Sequence, residues 1–320
     1  MALVGTLGDV AADVSEVVPV KLWLLKSILL CEYDGGIVLC SGLTIPQNAF
    51  DVTVLEPANK RLIMSGFSFD LHGRTLFVTG ASSGLGAHFA SILAASGAKV
   101  VLAARRIDRL EQLRAAIETN GGRALTVEMD VTDERSTIRA YDVAEKEFGA
   151  VDGVVANAGM NVGGAVLELD SKAVDDLLGV NVRGVLLTVR EGARRMIAAG
   201  SAERRHGRVV IISSITATAV VPGLGLYSAS KAAVLQLGKV MACEWINKGI
   251  NVNVMCPGYI ETDLNSDWFR SEGGKKMIQK WPRKRLMEPS SLDATLLYLA
   301  SDASEYVTGS VFSLDDGQFL

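Results

Sequence analysis

Short runs of consecutive apolar residues alternate, over most of the chain, with segments in which apolar residues recur every three or four positions. Runs without polar alternation are typical of strands buried on both faces of a parallel sheet. The runs of this kind predict strands at Thr75–Thr79, Lys99–Ala103, Ala124–Met129, Gly153–Ala156, Arg208–Ile212, Asn251–Met255 and Ser310–Leu314.

Helical periodicity fills the segments between these runs. Leu85, Phe89 and Leu93 recur every four residues after the first run, which places them on one face of a helix. Strands and helices that alternate in this way predict an α/β fold. We expect a single doubly wound Rossmann domain whose parallel strands are joined by right-handed crossovers.

Residues 1–63 lack this regularity. Neither period is sustained there, and turn signals such as Asp34-Gly35-Gly36 interrupt the segment. We expect a poorly ordered N-terminal extension at 1–63, followed by the α/β domain at 64–320. Met64 is the expected start of the functional protein, and a regulatory or targeting extension is the alternative. The apolar segment Val17–Cys31 is too short and too charged for a bilayer, so no membrane partner is expected.

Charge and cysteine content reduce the number of functional classes that fit this chain. Lys and Arg number 32 against 36 Asp and Glu, a net charge of −4, which disfavours a nucleic-acid-binding protein. The 4 cysteines show neither redox nor metal-ligand spacing. We therefore expect free thiols, a cytoplasmic location and no bound metal.

The turn after the first strand, Thr79–Gly86, is rich in glycine and serine. Glycines permit a tight turn and a close approach of backbone to a ligand, and the helix that follows offers N–H groups to a pyrophosphate. The residues predicted to bind a dinucleotide here are Gly80, Ser82, Ser83, Gly84, Leu85 and Gly86.

The same turn also matches G-x-S-x-G, the nucleophile elbow of α/β-hydrolases, with Ser82 as the nucleophile. That mechanism needs a histidine late in the chain, whereas His88 and His206 are the histidines that follow Ser82. The hydrolase is therefore the disfavoured alternative.

The end of the second strand bears on the choice of nicotinamide cofactor. An acidic residue there would bind a ribose 2′-OH, but this chain has Ala104 followed by Arg105 and Arg106. Arginine binds a 2′-phosphate through charge-assisted hydrogen bonds, each worth roughly 1.5–3 kcal/mol. The sequence therefore predicts that NADP(H) is preferred and that NAD(H) is possible.

Candidate catalytic residues follow the later strands. Tyr227 and Lys231 are four apart on one helix face, and a nearby ammonium is expected to lower the tyrosine pKa from its usual value near 10, which tunes a general acid/base. Ser214 follows the fifth strand and Asn157 the fourth, so both lie at the carboxyl edge of the sheet, where ligands bind. Asn181 lies within a predicted helix, where asparagine is mildly unfavourable.

Taken together, these residues match the sequence motifs of a known protein family. From about Phe67 to its end, the chain resembles the short-chain dehydrogenase/reductase family. The matching positions are Gly80, Ser82, Leu85 and Gly86 in the cofactor turn, Asp130 and Val131 at the adenine, Asn157, Ala158 and Gly159 after the fourth strand, Asn181, Ser214, Tyr227 and Lys231 in the catalytic tetrad, and Pro257, Gly258, Tyr259, Ile260, Glu261 and Thr262 on the nicotinamide side. Two departures, Ala156 in place of Asn and Asp315-Asp316-Gly317 in place of Asp-Gly-Gly, are not expected to affect the chemistry.

The resemblance implies a mechanism and an assembly. Hydride passes between the nicotinamide and the substrate carbon, and Tyr227 exchanges the proton of the substrate oxygen. Lys231 lowers the tyrosine pKa and holds the ribose hydroxyls, Ser214 orients the carbonyl, and Asn181 anchors a water that relays protons. The resemblance further implies a seven-stranded parallel sheet and a homotetramer formed through the helices that carry Asn181 and Tyr227.

The substrate is expected to be a small carbonyl compound or secondary alcohol. The resemblance places its recognition in the segment from about Asp263 to Pro289, which holds three aromatic residues and the basic residues Lys275, Lys276, Lys280, Arg283, Lys284 and Arg285. These could bind a substrate carried on coenzyme A or acyl carrier protein, although a solvated helix face over an aromatic lid is the favoured interpretation. The branches most similar are 3-oxoacyl-thioester reductases and gluconate or glucose dehydrogenases. A non-catalytic nicotinamide-binding regulator is the alternative of another class, and the intact tetrad argues against it.

Overall fold

The chain divides into two units, Met1–Arg61 and Leu62–Leu320, each described by itself. The computed structural model describes residues 69–262 and 265–320, together with the backbone of 21–25, 28–33 and 36–40. The predicted start at Met64 and the first residue of the substrate segment, Asp263, lie outside the described residues.

The first unit contains an antiparallel sheet that the sequence pattern did not predict. Its strands are β1 (Lys21–Leu25), β2 (Ile28–Tyr33) and β3 (Gly36–Cys40), in that spatial order. Each is a short, mostly apolar run of five or six residues without regular polar alternation, so the run carries too little periodicity to be assigned from sequence.

The second unit is built on one parallel sheet. Within the described residues its seven strands are β4 (Thr75–Thr79), β5 (Lys99–Ala104), β6 (Arg123–Glu128), β7 (Gly153–Ala156), β8 (Gly207–Ile212), β9 (Ile250–Pro257) and β10 (Val311–Leu314). Their spatial order is β10-β9-β8-β7-β4-β5-β6, and every neighbouring pair is parallel. The predicted strands are confirmed, each with boundaries within two residues.

Helices cover both faces of this sheet. They are α1 (Gly84–Ala95), α2 (Ile107–Thr119), α3 (Glu134–Phe148), α4 (Ser171–Leu178), α5 (Val185–Ala198), α6 (Ser201–Arg204), α7 (Gly225–Trp245), α8 (Ser266–Arg270), α9 (Glu272–Ile278) and α10 (Asp293–Ala300). Among the described residues, no helix combines the length and the apolar character needed to span a membrane.

Alternate strand residues supply two hydrophobic cores, one on each face. Val78 and Leu102 pack with residues of α1, α2 and α10, whereas their chain neighbours Phe77 and Val101 pack with residues of α3, α5 and α7. This alternation follows from the two-residue period of a strand. Because both faces are covered, the strands are apolar throughout, and the predicted doubly wound Rossmann fold is confirmed.

The sheet changes direction between β4 and β7, which are adjacent although two strands separate them in the chain. In doubly wound sheets the ligand crevice opens at the carboxyl ends of the strands at such a point. The glycine-rich turn follows β4 and Asn157 follows β7, so the fold brings both to this crevice.

Candidate active site

The glycine-rich turn is packed so closely that side chains are excluded from it. Gly80 has a φ of +69°, and a Cβ there would lie 2.9 Å from the Cα of Ala158. A Cβ on Gly86 would lie 2.2 Å from the Gly80 carbonyl oxygen. The predicted need for glycine therefore has a steric cause at both positions.

Thr79, which sequence reasoning missed, locks this turn to the end of β7. Its buried Oγ1 accepts hydrogen bonds from the backbone N–H groups of Asn157 and Ala158, both at 3.1 Å. The Asn157 amide donates in return to the Thr79 carbonyl at 3.1 Å. A threonine at the end of a buried strand, directly before a glycine, is the signal that could have identified it.

The N-terminus of α1 is suited to a pyrophosphate. The Ser83 side chain lies at the N-cap position but makes no capping hydrogen bond, so the first N–H groups of the helix lack a side-chain acceptor. Gly84 is exposed, and a Cβ there would lie 3.8 Å from the Thr262 side chain. The segment after β9 therefore reaches the turn. No acidic residue in the first turn of α1 repels an anion.

Two arginines lie where β5 ends. The Arg106 guanidinium donates to the hydroxyls of Ser82 and Ser83, both at 2.8 Å. Burial acts to raise the pKa of Asp130, but hydrogen bonds from Thr132 outweigh it and lower the pKa. The charge of Arg105 adds a smaller lowering, which shows that its guanidinium lies near this carboxylate. The end of β5 thus carries positive charge beside the serines of the glycine-rich turn.

Lys231 and Ser214 are fixed at the carboxyl edge of the sheet beside Tyr227. Lys231 is buried, and its Nζ donates to the Ile212 carbonyl at 2.9 Å and lies 5.6 Å from the centre of the Tyr227 ring. The Ser214 Oγ accepts from the backbone N–H of Thr216 at 3.2 Å and from its hydroxyl at 3.0 Å. Thr216, a second residue that the sequence did not indicate, therefore orients Ser214.

The predicted lowering of the Tyr227 pKa is wrong. Burial raises the pKa of Tyr227 to about 12, and the hydrogen bond with Ser214 opposes that rise. Burial lowers the pKa of Lys231 to about 8. The physical reason is burial, because desolvation penalises the charged form of each group and is the largest cause of both shifts.

Asn181 lies in a π-helical segment, Gly179–Gly184, which leads into α5. Its Oδ1 accepts from the Met160 N–H at 2.8 Å, and its Nδ2 donates to the Met160 carbonyl at 2.9 Å and to Ser230 Oγ at 3.0 Å. Ser230 donates in turn to the Tyr227 carbonyl at 2.7 Å. Single π turns are frequent at functional sites, and this one ties the loop after β7 to the helix that carries Tyr227.

Gly159 shows how close the predicted residues lie. A Cβ at this position would be 3.5 Å from Asn181 Oδ1 and 3.5 Å from Lys231 Nζ. The loop after β7 therefore lies close to both side chains, and the structure brings together residues that are far apart in the chain.

The segment after β9 is anchored by backbone contacts. Ile260 is buried and forms a bridge with Met287, and a Cβ on Gly258 would lie 2.5 Å from Gln318 Oε1. The Asn265 side chain accepts from the Thr262 N–H at 2.8 Å and donates to the Ile260 carbonyl at 2.9 Å. These contacts hold the segment at the end of β9 in place at the carboxyl edge of the sheet. The segment contains Pro257, Gly258, Ile260 and Thr262.

Aromatic rings pack together after β9, in the segment that the resemblance assigns to substrate recognition and that we call the substrate side. Tyr259 stacks on Trp281 at 5.3 Å between ring centres and meets Phe269 edge-on at 5.6 Å. Phe269 and Trp281 are buried. Two residues of the basic set, Arg283 and Arg285, form ion pairs with Asp316. The segment thus contains packed aromatic rings and exposed basic residues, and its role in substrate recognition stays a prediction.

The hydrolase alternative fails on geometry. The Ser82 hydroxyl accepts from Arg106 rather than from a histidine. His88 bonds to Asp293 at 2.6 Å, and His206 bonds to Asp302 at 3.0 Å.

Comparisons with known proteins agree with this geometry. A family model described as short chain dehydrogenase matches residues 74–273. Gluconate 5-dehydrogenase of Gluconobacter oxydans is 33% identical over 250 residues, which cover 78% of this chain and 96% of that protein. Cis-4-hydroxycyclohexanecarboxylate dehydrogenase of Sinomonas cyclohexanicum is 37% identical over 245 residues, which cover 76% of this chain and 96% of that protein.

A solved structure shows the same likeness. The crystal structure of a gluconate 5-dehydrogenase from Burkholderia cenocepacia, in complex with NADP and tartrate, matches with a TM-score of 0.74 at 31% identity and covers 78% of this chain and 96% of that one. Because the family model spans more than half of the chain and both relatives match over nearly their full length, the chain belongs to the short-chain dehydrogenases, oxidoreductases that act on CH–OH groups with NAD(P).

Proposed function

We propose that the protein interconverts a ketone and a secondary alcohol with NADP(H), using Tyr227 as the general acid/base. The observation that carries this proposal is the convergence of Ser214, Tyr227, Lys231 and Asn181 at the carboxyl edge of the sheet, next to the glycine-rich turn. When bound, the nicotinamide cofactor supplies or accepts the hydride.

Tyr227 and Ser214 act on the substrate oxygen. With a pKa near 12, the Tyr227 phenol is protonated at neutral pH, so it is ready to donate a proton in the reductive direction. Ser214, held by Thr216, hydrogen-bonds the carbonyl and points it at the phenol. Oxidation runs the same proton transfer in reverse.

Lys231 and Asn181 support that proton transfer. A pKa near 8 leaves Lys231 mostly cationic at neutral pH and able to stabilise the phenolate as it forms. Its low pKa also lets it exchange a proton near neutrality, which an ordinary lysine does poorly. Asn181 is braced by Met160 and Ser230, so its part is to hold the proton path in place.

The cofactor preference rests on the end of β5. Arg106 lies against Ser82 and Ser83, Arg105 lies near Asp130, and no carboxylate follows Ala104 directly in the chain. A 2′-phosphate would meet positive charge there, whereas a 2′-hydroxyl would lack its usual acidic partner. These observations support a preference for NADP(H).

Two substrate classes are candidates. The first is a 3-oxoacyl thioester or another ketone, with the exposed basic residues of the 275–285 segment as contacts for an anionic carrier. The second is a small hydroxy acid or polyol, and two relatives favour it because their names give gluconate and a hydroxycyclohexanecarboxylate as substrates. The homotetramer, the cytoplasmic location and the domain boundary at residue 64 stay predictions.

The test is NADPH and NADH oxidation at equal concentrations with acetoacetyl-CoA, 5-ketogluconate and 4-oxocyclohexanecarboxylate. We expect turnover with at least one ketone, faster with NADPH. Turnover with acetoacetyl-CoA alone would select the thioester class, and turnover with a keto acid alone would select the hydroxy acids. Oxidation of neither cofactor with any of the three ketones would contradict the proposal.

A further inference from the structure

The C-terminal residues hold the substrate side of the site through one buried amide. Gln318 is 6% exposed, and its Oε1 accepts from the Tyr259 N–H at 2.7 Å. Its Nε2 donates to the Tyr259 carbonyl at 3.3 Å and to the Arg285 carbonyl at 3.5 Å. A side-chain amide carries an acceptor and a donor on separate atoms, so glutamine can bind a backbone N–H and backbone carbonyls at once.

Tyr259 is the residue that this amide fixes, and its ring is also held. The ring stacks on Trp281, meets Phe269 edge-on and lies 6.0 Å from the ring of Phe319, the residue after Gln318. Burial raises the pKa of the Tyr259 phenol, so the group stays neutral and can donate a hydrogen bond.

Tyr259 lies at the same edge of the sheet as the tetrad. It follows β9, which pairs in parallel with β8, the strand that leads to Ser214. The Ser213 N–H donates to the Met255 carbonyl at 2.8 Å, so the pairing continues up to the residue before Ser214. The ends of these two neighbouring strands therefore bring Tyr259 and its aromatic neighbours to the edge where Ser214 lies.

We propose that Gln318 is a positioning residue for the substrate: its amide fixes the backbone of Tyr259, and Tyr259 binds a second oxygen or the apolar body of the ketone while Tyr227 serves the reacting carbonyl. The inference rests on the proposed oxidoreductase function. It assigns part of the substrate site to the chain end, far in sequence from the tetrad.

The first arm of the test measures how well the backbone at Tyr259 is protected from hydrogen exchange. Amide hydrogen exchange, followed by mass spectrometry, compares wild type, Gln318→Ala, Gln318→Glu and the control Gln112→Ala on the exposed face of α2. We expect faster exchange at Tyr259 in Gln318→Ala, with the peptide that contains Tyr227 unchanged. Gln318→Glu keeps the acceptor for the Tyr259 N–H and loses the donor, so we expect an intermediate rate.

The second arm measures recognition. With the ketone that wild type reduces fastest among acetoacetyl-CoA, 5-ketogluconate and 4-oxocyclohexanecarboxylate, we expect Gln318→Ala to raise KM about tenfold with kcat within about threefold and an unchanged Kd for NADPH. Tyr259→Ala and Gln318→Ala combined should raise KM by less than the product of the two single effects, because both act through one ring.

The outcomes separate the two proposals. An unchanged Tyr259 exchange rate, an unchanged KM, or a loss confined to kcat or to NADPH binding in Gln318→Ala would overturn the positioning role while wild-type turnover upholds the proposed function. Multiplicative effects in the double variant would overturn it as well. Wild type without turnover of any of the three ketones would overturn the function, and the positioning role with it.

Discussion

The cofactor and proton-transfer edge of the sheet differs from the substrate side in how it is assembled. At the first, the functional residues follow a strand closely or lie on a helix of the same α/β layer, as Gly80 follows β4 and Ser214 follows β8. At the second, Tyr259 is held by Gln318, and Asp316 holds Arg283 and Arg285.

The difference indicates how well the geometry of each region withstands changes in the surrounding loops. The carboxyl edge is fixed by the sheet itself, whose strands are buried on both faces, so its geometry persists when loops change. The substrate side depends on a few hydrogen bonds and ring contacts between remote segments. The proposed proton transfer therefore depends on the sheet, whereas the proposed substrate recognition depends on contacts between loops.

Removing the Tyr227 hydroxyl tests the first region and should give the largest effect. In Tyr227→Phe the general acid is lost while the ring and its packing remain, so we expect kcat to fall by about 10²–10⁴. The Kd for NADPH, measured by fluorescence titration, should change less than about threefold. Retention of wild-type turnover would show that another group carries the proton.

The arginines at the end of β5 should give the next largest effect. Removing both, as Arg105→Ala with Arg106→Ala, deletes the charge that meets a 2′-phosphate, so the NADPH/NADH ratio of kcat/KM should fall roughly ten- to hundredfold. Arg114→Ala, on the helix α2 that follows these arginines and paired with Glu111 and Glu118, is the matched control and should leave the ratio unchanged. An unchanged ratio in the double variant would refute the assigned preference.

The sequence predicted the first region far better than the second. Strand ends are visible as apolar runs, so Gly80, Ser214 and Asn157 could be placed at one edge without coordinates. Gln318 could not, because its role comes from contact with Tyr259, a residue 59 positions away along the chain. The pKa of Tyr227 was also mispredicted, since residue spacing indicates proximity to Lys231 and not how deeply the phenol is buried.

The pKa of Lys231, which belongs to the first region, should appear in the pH dependence of kcat/KM. Lysine is charged below its pKa, so a value near 8 means that the cation is present at lower pH and lost above it. We expect kcat/KM for NADPH, which reports groups of the free enzyme, to be level below about pH 7 and about tenfold lower at pH 9. A profile that stays level to pH 10 would mean that Lys231 keeps its usual pKa.

The smallest effect should come from Asp316, a departure from the family pattern that the sequence analysis took to be without consequence. Asp316 has a φ of +52°, a left-handed conformation that glycine adopts more easily, and its carboxylate binds Arg283 and Arg285 at the surface. In Asp316→Gly the relief of backbone strain opposes the loss of the ion pairs. We therefore expect a Tm within about 2 °C of wild type and a KM for the ketone raised about two- to threefold.

Salt distinguishes this effect from a general loss of order in the lid. Exposed ion pairs are screened at high ionic strength, so the KM of wild type should rise toward that of Asp316→Gly as NaCl approaches 1 M, while the KM of the variant stays level. If the difference between the two persists at high salt, the ion pairs are not its cause. The substrate side would then owe its geometry to Gln318 and the aromatic rings alone, which would sharpen the contrast with the carboxyl edge of the sheet.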